Sequence, residues 1–295
     1  FEKDEILKDD GNPYTVFTPY KRKWLQRMSK VGLPSVSTPN FSNLYPHRSQ
    51  LPTLSEIGFQ ASSIIVPSYH LGCVTDYENT RNFPSVDGTS HLSTHLRFGT
   101  VGIRDIVRQA MQLNETFLSE LIWREFFMQI LYHFPKVVNS NFRAKYNRIE
   151  WRNNKDDFQR WCEGNTGYPL VDAGMRELNE TGLMHNRVRM VTASFLCKHL
   201  LIDWRWGEAY FAEKLLDYEM ASNVGNWQWA AGSGVDAAPY FRIFNPTTQI
   251  KKFDKDKKYI NTWVPDLQEL SYPDPIVDHK MARERCLKTY KEAVS

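Results

Sequence analysis

Cysteine is scarce in this sequence: Cys73, Cys162, Cys197 and Cys286 are the only four in 295 residues, and none stands in a C-x-x-C pair. That pattern argues against a disulfide framework and a thiolate zinc site, and it fits free thiols in a reducing, cytoplasmic setting. The chain also lacks an apolar run of about 18 residues, so no membrane span is expected. Phe1-Glu-Lys-Asp-Glu-Ile6 resembles neither a signal nor a transit peptide. With no initiator Met, the chain reads as a fragment or a processed form. The eight histidines show no metal-ligand spacing, so no metal is expected. No GxGxxG, Walker loop, HExxH or GxSxG motif is present. Net charge is only +3, which permits nucleic-acid binding through a local patch without demanding it.

What remains is an ordinary globular composition, 41% hydrophobic and 24% charged, with an unusual 14% of aromatics. They concentrate between Asp203 and Pro246, where Trp204, Trp206, Trp227 and Trp229 stand among small residues and amides. Buried Trp needs a partner for its indole N–H, so such a cluster points to rings used as rings. Stacking on a flat ligand and carrying an electron are the two physical reasons.

Residues 1–20 read as strand and turn around Asp10-Gly-Asn-Pro13. Residues 30–90 carry Pro34, Pro39, Pro46, Pro52, Pro67 and Pro84, which exclude long helices, so 21–89 reads as a linker leading into a helical domain. From Ser90 onward the period is helical. Leu92, Leu96 and Val101 open one helix, and Phe117 to Leu131 form a second that ends before Pro135. Tyr168-Pro169 starts a third, with Gly182 after its end, and 187–203 and 207–216 supply two more. Residues 90–290 are therefore expected to be all-α.

Four constellations stand out. Thr89-Ser90-His91-Leu92-Ser93 lies at a helix start and fits either a plain cap or an anion site for phosphate. Glu120, Trp123 and Arg124 share a face of the long helix, where Glu120 pairs with Arg124 on a solvated face or stands as a carboxyl beside an aromatic wall. In Met184-His-Asn-Arg-Val-Arg-Met190, Arg189 is placed to pair with Asp217 or Glu219, although a surface Arg cluster fits equally. The run Lys251 to Lys258 alternates in sign and reads as a solvated loop or a phosphate contact.

Several stretches together resemble the photolyase/cryptochrome family, and within it class I cyclobutane pyrimidine dimer DNA photolyases. They are Tyr77…Arg81-Asn-Phe-Pro84, Gly88-Thr-Ser-His-Leu-Ser93, Glu120-Leu-Ile-Trp-Arg-Glu-Phe126, Gly167-Tyr-Pro-Leu-Val-Asp172, Met184-His-Asn-Arg187, Asn223 to Trp229, and Phe241 to Gln249. The resemblance covers 70–270, with the motifs in order and at the right spacing. It implies a mainly α fold whose helical domain binds folded-back FAD. By motif, Tyr77, Thr89, Ser90, Leu92 and Ser93 hold its pyrophosphate end. Trp123, Arg124, Phe126, Asn186, Arg189, Asp217 and Glu219 line the rest, and Asn223 faces flavin N5. An amide there suits a fully reduced flavin and repair, whereas plant cryptochromes place Asp there and signal. The damaged-DNA pocket falls to Glu120, Trp123, Asn186, Met190 and Trp229, with Arg187 and Arg242 toward the DNA. The (6-4) photolyases carry His residues in this pocket, whereas Asn186 and Met190 stand in the relevant helix here, which points to cyclobutane dimers. Reduced FAD then splits the dimer by light-driven electron transfer, and Trp227, Trp204 and Trp151 match the chain that reduces the flavin.

The resemblance also implies an N-terminal α/β antenna domain, of which 1–20 reads as the remnant, so an antenna chromophore is not expected in this chain. A monomer acting on damaged DNA is the expected form. Two other readings are a blue-light photoreceptor, which would need an effector tail, and a helical DNA-binding module, which would leave Glu120 and Asn223 without a task.

Overall fold

The computed structural model describes residues 1–33, 40–46 and 49–295. Pro34 and Pro39 of the proline-rich stretch lie outside the described residues. Thirteen α-helices follow in order among the described residues: α1 Phe17–Val31, α2 Tyr77–Thr80, α3 Leu92–Phe98, α4 Ile103–Leu113, α5 Glu115–His133, α6 Lys155–Cys162, α7 Pro169–Thr181, α8 Asn186–Ser194, α9 Trp204–Lys214, α10 Met220–Ala231, α11 Pro246–Phe253, α12 Lys258–Trp263 and α13 His279–Val294. Apart from an isolated bridge between Leu7 and Pro13, no β pairing occurs among the described residues. The all-α expectation for 90–290 is borne out.

The principal difference lies at α1, which crosses the boundary drawn at residue 20. Phe17, Tyr20, Trp24 and Met28 are its buried residues, and they recur at helical spacing. This stripe docks on α5, where Tyr20 Oη (2.8 Å) and Trp24 Nε1 (3.0 Å) both donate to Glu125 Oε1. The proline argument holds from residue 49 onward, where 49–71 has no helix. The expected helix over 187–203 is interrupted: α8 gives way to a π-helical turn at Phe195–His199.

Two large cores hold the helices. One joins α1, α4 and α5 through Tyr20, Trp24, Ile106, Ile122 and Phe126. The other joins α7, α8, α9 and α10 through Leu170, Met175, Val188, Leu196, Trp204 and Trp227. Gly207 makes the second core possible: a Cβ there would fall 2.1 Å from Trp227 Cη2, so α9 approaches α10 only with hydrogen at that position.

Asp172 on α7 is fully buried and accepts four hydrogen bonds. They come from Thr166 N (2.8 Å), Thr166 Oγ1 (2.6 Å), Gly167 N (3.0 Å) and Tyr272 Oη (2.6 Å). One carboxylate thus fixes the turn before α7 and the 272 loop. Asp172→Ala strands four donors and is expected to cost about 3 kcal/mol. A thermal melt should show Tm lower by on the order of 5–10 °C.

Candidate active site

The α5 sequence sorts its side chains by angle. Glu120, Trp123, Arg124 and Phe127 follow the i, i+3, i+4, i+7 rule and line one side of a cavity of about 530 Å³. Leu118, Ile122, Phe126 and Ile130 lie on another face and are buried in the core. Phe126, expected to touch a cofactor, is therefore corrected: it is fully buried against Phe17, Tyr20 and Trp123, and Phe127 takes the cavity position. Trp123 is stacked on Phe17, ring centroids 3.7 Å apart, which fixes the plane of its indole.

The expected Glu120–Arg124 pair is replaced by another. Arg81 Nη1 donates to Glu120 Oε1 at 2.6 Å, and the Arg81 guanidinium lies over the Tyr77 ring. Arg124 instead donates to the Leu96 carbonyl.

A second compartment of about 580 Å³ is lined by Thr89, Ser90, Leu92, Ser93, His185 and Glu177. Neither Ser90 nor Thr89 caps α3: the cap is His91, in the left-handed region, and its side chain makes no capping bond. Among these hydroxyls, Thr89 and Ser90 line the cavity without being spent on a helix terminus, and Ser93 is turned to Asp217. A third compartment of about 110 Å³ holds Ser222, Asn223, Asn226, Trp227 and Trp229. Asn186, Arg189 and Asp217 line all three, so the compartments form one branched cleft.

At that junction Arg189 donates from Nη1 (3.2 Å) and Nη2 (2.9 Å) to the two oxygens of Asp217, and from Nε (2.7 Å) to the Met184 carbonyl. Of the two carboxylates open to it in sequence, Arg189 takes Asp217. Burial works against the Asp217 charge, but the Arg189 guanidinium and a Ser93 hydrogen bond outweigh it and hold the carboxyl below the usual range. Glu219 has another task besides lining the cleft. It is the N-cap of α10, accepting from Ala221 N (2.9 Å), Ser222 N (2.9 Å) and Ser222 Oγ (2.8 Å).

The Asn223 side chain is oriented by its donors. Nδ2 gives one hydrogen to the Glu208 carbonyl (3.1 Å) and one to Glu208 Oε1 (2.9 Å). Oδ1 is left as the acceptor available to the cleft. Burial pushes the Glu208 carboxyl above the usual range, against the pull of the Asn223 bond.

Of the remaining expected residues, Arg187, Arg242, Trp204 and Trp151 stand outside the three compartments, while Trp227 lines the third. Arg187 donates to Asn82 and lies over the Phe253 ring, 4.3 Å from its centroid. Arg242 is exposed over Phe244, and its carbonyl accepts from buried Lys198. Trp204 is buried and donates to Asn141 Oδ1 at 2.9 Å, while Trp151 packs edge-on to Tyr290. Trp227 meets Trp161, centroids 6.1 Å apart. In the 251–258 charge run, Asp254 is buried and binds the amides of Tyr259 and Ile260, so its centre is structural and not a solvated loop.

Sequence reasoning missed His185, Arg81 and Glu208 as parts of the site. His185 Nδ1 accepts from Arg187 N at 3.1 Å, which fixes the tautomer with hydrogen on Nε2. That Nε2 is buried without a partner, on a residue lining the 580 Å³ compartment, and the pKa is pushed down to about 4 by burial and by Arg189. An orphaned donor, the Thr89 and Ser90 hydroxyls, an ion pair and an oriented amide suit a long polar cofactor with a flat ring.

This is the helical body of a flavoprotein, and comparison identifies its type. Residues 117–271 match the family model described as the FAD binding domain of DNA photolyase. A deoxyribodipyrimidine photo-lyase of Escherichia coli is 40% identical, the match covering 98% of this chain and 70% of the relative. One from Halobacterium salinarum is 38% identical over the same shares. Among solved structures, a class III photolyase from Agrobacterium tumefaciens superposes with TM-score 0.82 at 35% identity, covering 99% of this chain and 71% of that one. A Synechocystis cryptochrome gives TM-score 0.76 at 27% identity, covering 98% and 69%. The chain belongs to the DNA photolyase/cryptochrome family. No helix among the described residues is long and apolar enough to cross a membrane.

Arg189→Ala leaves the Asp217 side chain, 6% exposed, without its cation. A loss of about 3 kcal/mol is expected. Because the folded carboxyl titrates below its unfolded value, the pair stabilises above about pH 4 and its contribution disappears as pH falls further. Melts from pH 3 to 7 should therefore show the variant and parent converging at the acid end.

Proposed function

We propose that this chain repairs cyclobutane pyrimidine dimers in DNA, with reduced FAD in the branched cleft as the light-driven electron donor. The observation that carries the reading is the meeting of two unlike branches at Asn186, Arg189 and Asp217. One presents an oriented amide for a flavin ring. The other is walled by Trp123, Trp229, Met190 and Glu120, as a flipped-out dimer of adjacent pyrimidines requires.

When bound there, reduced FAD would supply the light-driven, redox-neutral electron transfer that splits the dimer. The residues of this chain set the geometry. Thr89, Ser90 and His185 Nε2 hold the phosphate end. Asn223 Oδ1, fixed by Glu208, accepts from a ring N–H and so favours the reduced form. Trp123 and Trp229 stack on the extruded pyrimidines, and Glu120, held by Arg81, accepts a hydrogen bond from a base edge. Arg187 and Arg242 take phosphates outside the cleft. Trp227, with Trp204 and Trp151 behind it, serves electron entry from the surface. The class I assignment rests on the motifs from Tyr77 to Gln249, and the preference for cyclobutane over (6-4) lesions on Asn186 and Met190.

Two experiments test the reading. Asn223→Asp puts a carboxylate where an acceptor amide now sits, and dimer-repair rates should fall at least about tenfold, roughly 1.4 kcal/mol. The absorption spectrum of the purified variant should show a different resting flavin redox state, and an unchanged rate and spectrum would remove Asn223 from the mechanism. Binding to dimer-containing duplex should weaken steeply between about 50 and 200 mM salt, because phosphate contacts release counterions. A flat salt dependence contradicts a DNA-binding face.

A further inference from the structure

We propose that His70, Asp87 and His91 form a binding site for one divalent transition-metal ion of the zinc class, at the rim of the cleft. In sequence these residues have no metal-ligand spacing. The fold brings one ligand atom from each to within 4.8 Å of the other two. His91 Nε2 is 3.0 Å from Asp87 Oδ1, and His70 Nε2 is 3.7 Å from Asp87 Oδ2. Each carboxylate oxygen therefore faces a different imidazole.

A lone Asp–His hydrogen bond explains His91 but not His70, whose 3.7 Å separation is too long for one. The rings do not stack on each other, with centroids 5.8 Å apart and planes 45° from parallel. Two imidazole nitrogens converging on one carboxylate form the donor set of a tetrahedral or facial site with an open position, and imidazole selects zinc, copper, nickel or iron over magnesium and calcium. Metal–nitrogen bonds of about 2.0–2.1 Å separate tetrahedral ligand atoms by about 3.3 Å. The present spread exceeds that by an amount that side-chain rotation at a half-exposed surface closes.

The backbone beneath is already set. His70 N donates to the Ser90 carbonyl at 3.1 Å, tying the two segments together. Gly88 sits so close to Thr80 that a Cβ would fall 2.6 Å from Thr80 Cβ, which locks the turn carrying Asp87. Asp87 and His91 also line the 580 Å³ compartment beside Thr89 and Ser90. A bound ion would therefore clasp the 70 segment to the turn that forms the cofactor compartment. That consequence rests on the functional reading above, but the site itself does not.

The test is calorimetric titration of zinc chloride into the flavin-loaded full chain after EDTA treatment and dialysis. One ion per chain is expected, with affinity about tenfold or more weaker in His70→Ala and in Asp87→Asn. His70 is on irregular backbone with its side chain 43% exposed, so its zinc-free melt should match the parent. A second readout is zinc protection of His70 and His91 from diethyl pyrocarbonate, followed by mass spectrometry of the peptides. No binding by the parent overturns the proposal, as does equal affinity in both variants or protection of other histidines instead. Flavin content and repair by the zinc-free parent report separately on the photolyase reading.

Discussion

The Arg189–Asp217 pair is the interaction on which the rest of the site depends. It stands where the three branches of the cleft meet, between the start of α8 and the segment leading into α10. A carboxylate so deeply buried is tolerable only with a bidentate cation beside it. Once that pair is made, Arg189 also grips the Met184 carbonyl, and the chain preceding α8 is placed for His185 and Asn186 to enter the cleft. Ser93 reaches the same carboxylate from α3. One ion pair thus joins the branch lined by Thr89 and Ser90 to the branch lined by Asn223 and Trp227.

Around it, the fold assigns unlike tasks to adjacent residues of one helix. On α5, Glu125 anchors α1, Phe126 fills the core, and Glu120, Trp123, Arg124 and Phe127 face the cleft. On α10, Asn223 is pointed by Glu208 while Gly225 lets Phe127 approach so closely that a Cβ would lie 2.2 Å from its ring. Site and packing are therefore coupled through side chains one or two positions apart.

Much of this was legible in the sequence. The 3.6-residue period of α5, Pro169 and Gly182 at the ends of α7, and the choice of partners for Arg189 carried the helical fold and the centre of the site. The motifs from Tyr77 to Trp229 carried the family. Other features depend on long-range geometry. Phe126 and Phe127 are both apolar and adjacent, and only the angle about α5 separates core from cleft. The Arg81–Glu120 pair spans 39 positions, and the His70–Asp87–His91 cluster comes together only when an irregular segment folds over a turn. The stripe Phe17, Tyr20, Trp24, Met28 has helical spacing, but the turn signals at Asp10 to Pro13 and the prolines that follow mask it.

Whether this cleft holds reduced FAD beside a pyrimidine dimer flipped out of DNA is tested most directly by one assay. The purified chain is incubated with thymine-dimer DNA and reductant, and the dimers are counted before and after blue light. The account predicts flavin absorption bands and loss of dimers that requires light. Flavin bands with the dimers intact after illumination would contradict it.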